Sequence, residues 1–230
     1  MLQILFRDDY LIAINKPHDL LVHRSRIAMD VGEFALQILR DQINHWVNPV
    51  HRLDRKTGGV LLFALDKETE ISVQHLFAEN KISKKYLAIV RGHTPDNGEI
   101  DYPLRKENGV LQEAFTRYTT LKRTELNIAF GAHQTSRYSL IEARPETGRM
   151  HQLRKHFAHI NHPIIGDRPH GCNKQNKLFK ETWDMTTMLL HASELSFLHP
   201  FTKENVLIQA PLQQEFERVM LLMGWNENNL

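Results

Sequence analysis

Apolar residues in this chain fall mostly in short runs, the pattern of strands, with a few stretches at helical spacing. Leu2 to Phe6 and Tyr10 to Ile14 flank the polar Arg7-Asp8-Asp9, which predicts strand, turn, strand. Pro17 ends the second run and opens a loop through His23. Val60 to Leu65, following Thr57-Gly58-Gly59, predicts a buried strand leaving a turn. Asp66 is placed to cap a helix whose Val73, Leu76 and Phe77 share one face. Tyr86 to Val90 returns to strand character, and residues 93–135 are the least regular part. Tyr138 to Ala143 predicts another strand, and Thr147-Gly148 turns into a basic helix bearing Leu153, Phe157 and Ile160 on one side. Leu189 to Phe197 and Val206 to Pro211 read as a hairpin around Leu198 to Thr202. Phe216, Val219, Met220 and Met223 mark a closing amphipathic helix. Strands outnumber helices, so the expected class is α+β: a mixed, largely antiparallel sheet with flanking helices.

The 230 residues suffice for one large domain or two small lobes, and no repeat or low-complexity linker divides them. Formal net charge is +2, which leaves the choice of partner open. A single cysteine, Cys172, excludes an internal disulfide and a Cys-based zinc cage, and fits a reducing compartment. The N-terminus shows neither a basic leader nor a long apolar run, so the expectation is a soluble, cytoplasmic protein without a membrane span.

Two segments carry candidate chemistry. In His51-Arg52-Leu53-Asp54-Arg55-Lys56-Thr57-Gly58-Gly59, an aspartate sits among cations before a glycine turn. Nearby positive charge favours the ionised carboxylate that a nucleophile or base requires. An aspartate bonding the backbone of its own turn would look the same, so both readings stand on this segment alone. In Thr147 to His156, Arg154 and Lys155 fall off the apolar stripe, where they suit a carboxylate or a phosphate. An ordinary solvated basic face fits equally well. His156, His159 and His162 are evenly spaced and His170 follows, yet no carboxylate completes a helical ligand pair and no HExxH is present. No GxGxxG, P-loop or GxSxG occurs, so no cofactor and no metal is expected.

Six segments in order resemble the RluA-type pseudouridine synthases. Asn15-Lys16-Pro17 through His23 resembles the NKPxGxxVH loop, and His51 to Ala64 the HRLDxxTSGxLLxA segment. Lys84 to Gly92 is similar to KxYxAxVxG, and Thr147 to His156 to TGRxHQLRxH. His162 to Asp167 resembles HPIxGD, and Leu190-His191-Ala192 with Phe197 to Thr202 the LHA…FxHPxT hairpin. The chain departs at His18-Asp19, where a residue followed by glycine is usual, so that loop is expected to turn differently. Gly58 replaces the serine of TSG, and Thr187-Met188 the usual Arg-Leu.

The resemblance implies the pseudouridine synthase fold with a central RNA-binding cleft, in one catalytic domain over 1–230 without an S4 RNA-binding domain. It implies a cofactor-free, monomeric isomerase that extrudes a uridine from a helix. Asp54 would be the catalytic carboxylate, Tyr86 the residue stacking on uracil, and Arg154 the partner of Asp54. Arg52 would brace the vacated space and Leu190 line the base pocket, with Arg24, Arg55, Lys56 and Lys155 on phosphates. Within the family, the likeness is to members modifying uridine 65 in the T-arm stem, so the expected partner is tRNA. An enzyme for 23S rRNA or the anticodon arm is the alternative. A catalytically silent RNA-binding protein and a histidine-cluster metal hydrolase are more remote.

Overall fold

A computed structural model describes residues 1–23 and 33–225. The chain forms two compact units: Met1–Lys84 with Ala192–Gln213, and Lys85–His191 with Gln214–Leu230. In chain order the first stretch gives β1 (Gln3–Arg7), β2 (Leu11–Lys16), α1 (Ala35–Ile43), β3 (Asn48–Pro49), β4 (Gly58–Ala64) and α2 (Lys67–Ala78). Next come β5 (Ser83–Arg91), β6 (Asn97–Asp101), β7 (Leu104–Arg105), β8 (Leu111–Gln112), β9 (Phe115–Leu126) and β10 (Ser136–Pro145). The chain continues through α3 (Gln152–His159), α4 (Asn173–Trp183), β11 (Leu190–Leu198), β12 (Asn205–Gln209) and α5 (Gln214–Leu222).

In the first unit β2 pairs antiparallel with β1 and β4, and β11 with β12. Every residue of β2 and β4 is buried, the polar Asn15 and Lys16 at the end of β2 included. On one face, Leu11, Ala13, Val60, Leu62 and Ala64 pack with Val50, Val73 and Leu195 into one core. Asp66 caps α2, its carboxylate accepting from the Thr69 amide at 2.8 Å. Gly59 has φ +108°, and a Cβ there would lie 2.1 Å from the Ala192 carbonyl oxygen, so only glycine fits where β4 approaches that backbone.

In the second unit β10 pairs antiparallel with β5 and β9, and β9 with β6. The α3 residues Leu153 and Phe157 pack on Ala88, Val90, Ile141 and Ala143 of β5 and β10. Residues 93–135 are more regular than their composition predicts, since β9 runs for 12 residues. The strand is polar on both faces, which hides its period. Cross-strand pairs such as Arg117–Glu99, at 2.9 Å, hold it instead. Helices α1 and α4 are not among the elements expected above, although α1 carries Ala35, Leu36, Leu39 and Ile43 at helical spacing, with Ala35 and Leu39 buried. Helix α4 seats only Gln175 and Phe179 in the interior, too sparse a stripe to announce itself.

Candidate active site

Asp54 begins a tight turn, closed by the Thr57 amide donating to the Asp54 carbonyl at 3.0 Å. Arg55 and Lys56 occupy the two central positions, and Asp54 itself is half-buried. The turn is tied to the loop that follows β2. Buried Lys16 donates from Nζ to the carbonyls of Pro17, Leu20 and Arg55 at 2.9, 2.8 and 3.0 Å. His18 Nδ1 donates to the Lys56 carbonyl at 2.8 Å, and Arg55 Nε to the Asp19 carbonyl at 3.1 Å. Three side chains thus fix the backbone on either side of Asp54's neighbours. Burial pushes the Lys16 ammonium down to about 7, while the charges of Asp19 and Asp54 pull it back up. In the sequence Lys16 stands at the end of the run LIAINK and inside the Asn15-Lys16-Pro17 segment of the family resemblance, and neither assigns it a role.

His51 anchors the near side of the same segment. Its Nε2 accepts from the Leu62 amide of β4 at 3.0 Å, and its ring stacks on Phe77 of α2. Burial, helped by the Lys84 charge, depresses its pKa to about 3, so it stays neutral.

In the loop carrying His18-Asp19, the residue at the usual glycine position keeps a glycine-like backbone. Asp19 has φ +62°, the left-handed region that glycine favours and aspartate tolerates. Gly58, where the family has serine, lies against His18. A Cβ at 58 would meet His18 Nε2 at 3.0 Å and Gln213 Cγ at 2.9 Å, so glycine makes room for the histidine.

The second unit carries Tyr86, Arg154, Lys155 and Leu190. Tyr86 stands on β5 opposite Ala143 and packs, half-buried, against the cluster that contains buried Leu190. Arg154 is more enclosed than its place off the apolar stripe suggests, with 8% of its surface exposed. Its Nε and Nη2 donate to the two carboxylate oxygens of buried Asp167, each at 2.8 Å. This bidentate pair fixes the plane of the guanidinium. Sequence reasoning misses Asp167 as a partner because it lies 13 residues on, in a turn. Gly166 makes that turn possible: its φ is +83°, and a Cβ would lie 1.8 Å from the Thr187 carbonyl oxygen. Lys155 is half-buried on α3.

Arg52 and Arg55 are exposed in the first unit, Lys56 half-buried there, and Arg24 lies outside the described residues. Among the evenly spaced histidines, His156 meets Thr116 Oγ1 and the Tyr102 carbonyl, each at 3.0 Å, and His159 stacks on Tyr102. His162 Nδ1 donates to the Arg91 carbonyl, and His170 pairs with His151 at 3.0 Å. These contacts hold strands, helix and loops together. Among the described residues no cluster of metal-ligating side chains forms, and no helix is long and apolar enough to cross a membrane.

Residues 10–159 match the family model described as RNA pseudouridylate synthase. The chain is 44% identical to the tRNA pseudouridine synthase C of Vibrio cholerae, with 100% of this chain and 99% of that protein covered. It is 45% identical to the protein of that name from Haemophilus ducreyi, over 98% of this chain and 97% of the relative. Among solved structures, human RNA pseudouridylate synthase domain containing 4 superposes with TM-score 0.72 at 26% identity, covering 96% of this chain and 93% of that one. Human RNA pseudouridylate synthase domain containing 1 gives the same TM-score, 0.72, at 23% identity, over 98% and 96% of the two chains.

Proposed function

From the premise that the chain belongs to the RNA pseudouridylate synthase family and is an isomerase, we propose that it converts uridine 65 in the T-arm stem of tRNA to pseudouridine, with Asp54 as its catalytic carboxylate. The observation that carries the choice of RNA is full-length similarity to several bacterial proteins named tRNA pseudouridine synthase C. The two compact units act as a single catalytic domain.

The reaction breaks the bond from N1 to the ribose C1′, turns the uracil, and joins C5 to the same carbon. A proton leaves C5 and one is gained at N1, so substrate and product are isomers. A carboxylate can serve by adding to C1′, by adding to the base, or by removing a ribose proton. All three routes need it ionised and held in one orientation. The tied turn supports that role for Asp54 by holding its backbone in one place.

Tyr86 stacks on the uracil and helps remove the C5 proton. Arg154, its plane fixed by Asp167, pairs with Asp54. A stem uridine must leave its helix to react, at a cost of about a few kcal/mol. Arg52 braces the vacated space and Leu190 lines the base pocket. Arg24, Arg55, Lys56 and Lys155 contact phosphates, which position the RNA without reading it. The exposed Arg55–Asp19 pair, at 3.7 Å, is worth at most about 1 kcal/mol and yields readily to a phosphate.

Mapping pseudouridine in tRNA from cells with and without this gene tests the substrate. The modification at position 65 should vanish with the gene and return with it. Its persistence without the gene would reject tRNA position 65 as the target.

A further inference from the structure

Helix α4 carries a polar groove that none of the roles above uses. Asn173, Asn176, Lys177 and Lys180 stand at positions i, i+3, i+4 and i+7, so they form one stripe along the helix. Arg168, from the preceding loop, lines the same depression, whose cavity is about 200 Å³. Opposite this stripe, Gln175 and Phe179 are buried, so α4 turns its amides and cations outward. Among the described residues, three cations line the groove and no carboxylate does. An acid that does engage one of them is Glu181, which meets Lys177 at 3.6 Å with both side chains exposed. Such a pair is worth about 0.3–0.5 kcal/mol and does not cancel the field of the cluster.

Hydrogen bonds tie the groove floor to the neighbouring loop. Asn176 Oδ1 accepts from the Gly166 amide at 2.9 Å, and its Nδ2 donates to the Asp167 carbonyl at 2.7 Å. The same Asp167 holds Arg154 through its carboxylate. The stripe is about 10 Å long at 1.5 Å rise per residue, longer than a single phosphate group. At a share of about 30 Å³ per water molecule, the cavity admits an anion together with hydrating water.

We propose that Arg168, Lys177 and Lys180 form a docking site for the sugar–phosphate backbone of the RNA substrate. This rests on the reading of the chain as a tRNA-modifying enzyme, and adds a contact surface made of residues assigned no role above. The ligand is polyanionic backbone, bound through charge and amide hydrogen bonds without base readout. Asn176, which lines the same groove, is hydrogen-bonded to Asp167, the residue that holds Arg154.

The test is binding of unmodified tRNA transcript to the full chain, measured by fluorescence anisotropy from low to moderate salt. Each phosphate left without its cation should flatten the slope of log K against log salt by about 0.7–0.9. The triple variant Arg168→Ala/Lys177→Ala/Lys180→Ala should flatten it by about two to three units, weaken binding by about tenfold or more, and raise KM with kcat unchanged. These residues are exposed, and alanine suits a helix, so thermal melts should match the parent. The control Lys67→Ala/Lys81→Ala/Lys106→Ala removes equal charge from other exposed sites and should leave the slope within about one unit. An unchanged slope in the groove variant, or equal flattening in the control, overturns the docking site. Pseudouridine formation is read in the same samples. Its absence in a parent that still binds tRNA with the groove-dependent slope would reject the enzymatic reading and leave the groove standing.

Discussion

Acid should loosen the Asp54 segment through His51. The ring is held neutral in the folded chain, its pKa pushed from 6.5 down to about 3, mainly by burial. In the unfolded chain it titrates near its ordinary value. Between these values the unfolded state binds a proton that the folded state refuses, so stability falls as pH drops below 6.5 and this loss ends near 3. At pH 5 the gap is about 1.5 pH units at about 1.4 kcal/mol each, or about 2 kcal/mol. The side chain keeps some solvent contact, which trims the figure to between about 1 and 2 kcal/mol. Glutamine at 51 can present an oxygen to the Leu62 amide without titrating. Urea unfolding of the parent and His51→Gln at pH 8 and pH 5 isolates the effect from the other histidines. The parent should lose about 1–2 kcal/mol more than the variant over that interval. Equal losses would refute the assignment of His51 as a neutral pin.

Two further perturbations probe the supports of the site. Asp167→Ala leaves the Arg154 guanidinium buried without its carboxylate and should cost about 3–5 kcal/mol in chemical denaturation; a loss under about 1 kcal/mol would show the pair to be dispensable. Gly59→Ala forces a Cβ against the Ala192 carbonyl at a positive φ and should cost more than about 3 kcal/mol, combining overpacking with left-handed strain. Unchanged stability there would mean that β4 moves away freely.

Legibility of the fold followed the hydrophobic period. β2, β4 and α2 announced themselves because one face or both faces are apolar and Asp66 supplies a cap. β9 escaped because its alternation is between polar residues, and α4 because an interior glutamine stands where an apolar residue would complete the stripe. The position of Asp54 in a turn could be read from Leu53 through Gly59. What holds that turn could not be, since Lys16 and His18 reach it from 39 and 38 residues upstream. The Arg154–Asp167 pair was hidden for a related reason: a salt-bridge partner in a loop leaves no periodic trace.

The most direct test of the central claim is pseudouridine formation by Asp54→Asn on tRNA transcript, measured alongside the affinity for that transcript. The side chain is half-buried in a turn held by backbone bonds, so asparagine should preserve the fold. The account predicts affinity within about threefold of the parent, a difference under about 1 kcal/mol, with no product detected. Turnover at the parent's rate would contradict it and remove Asp54 from the chemistry.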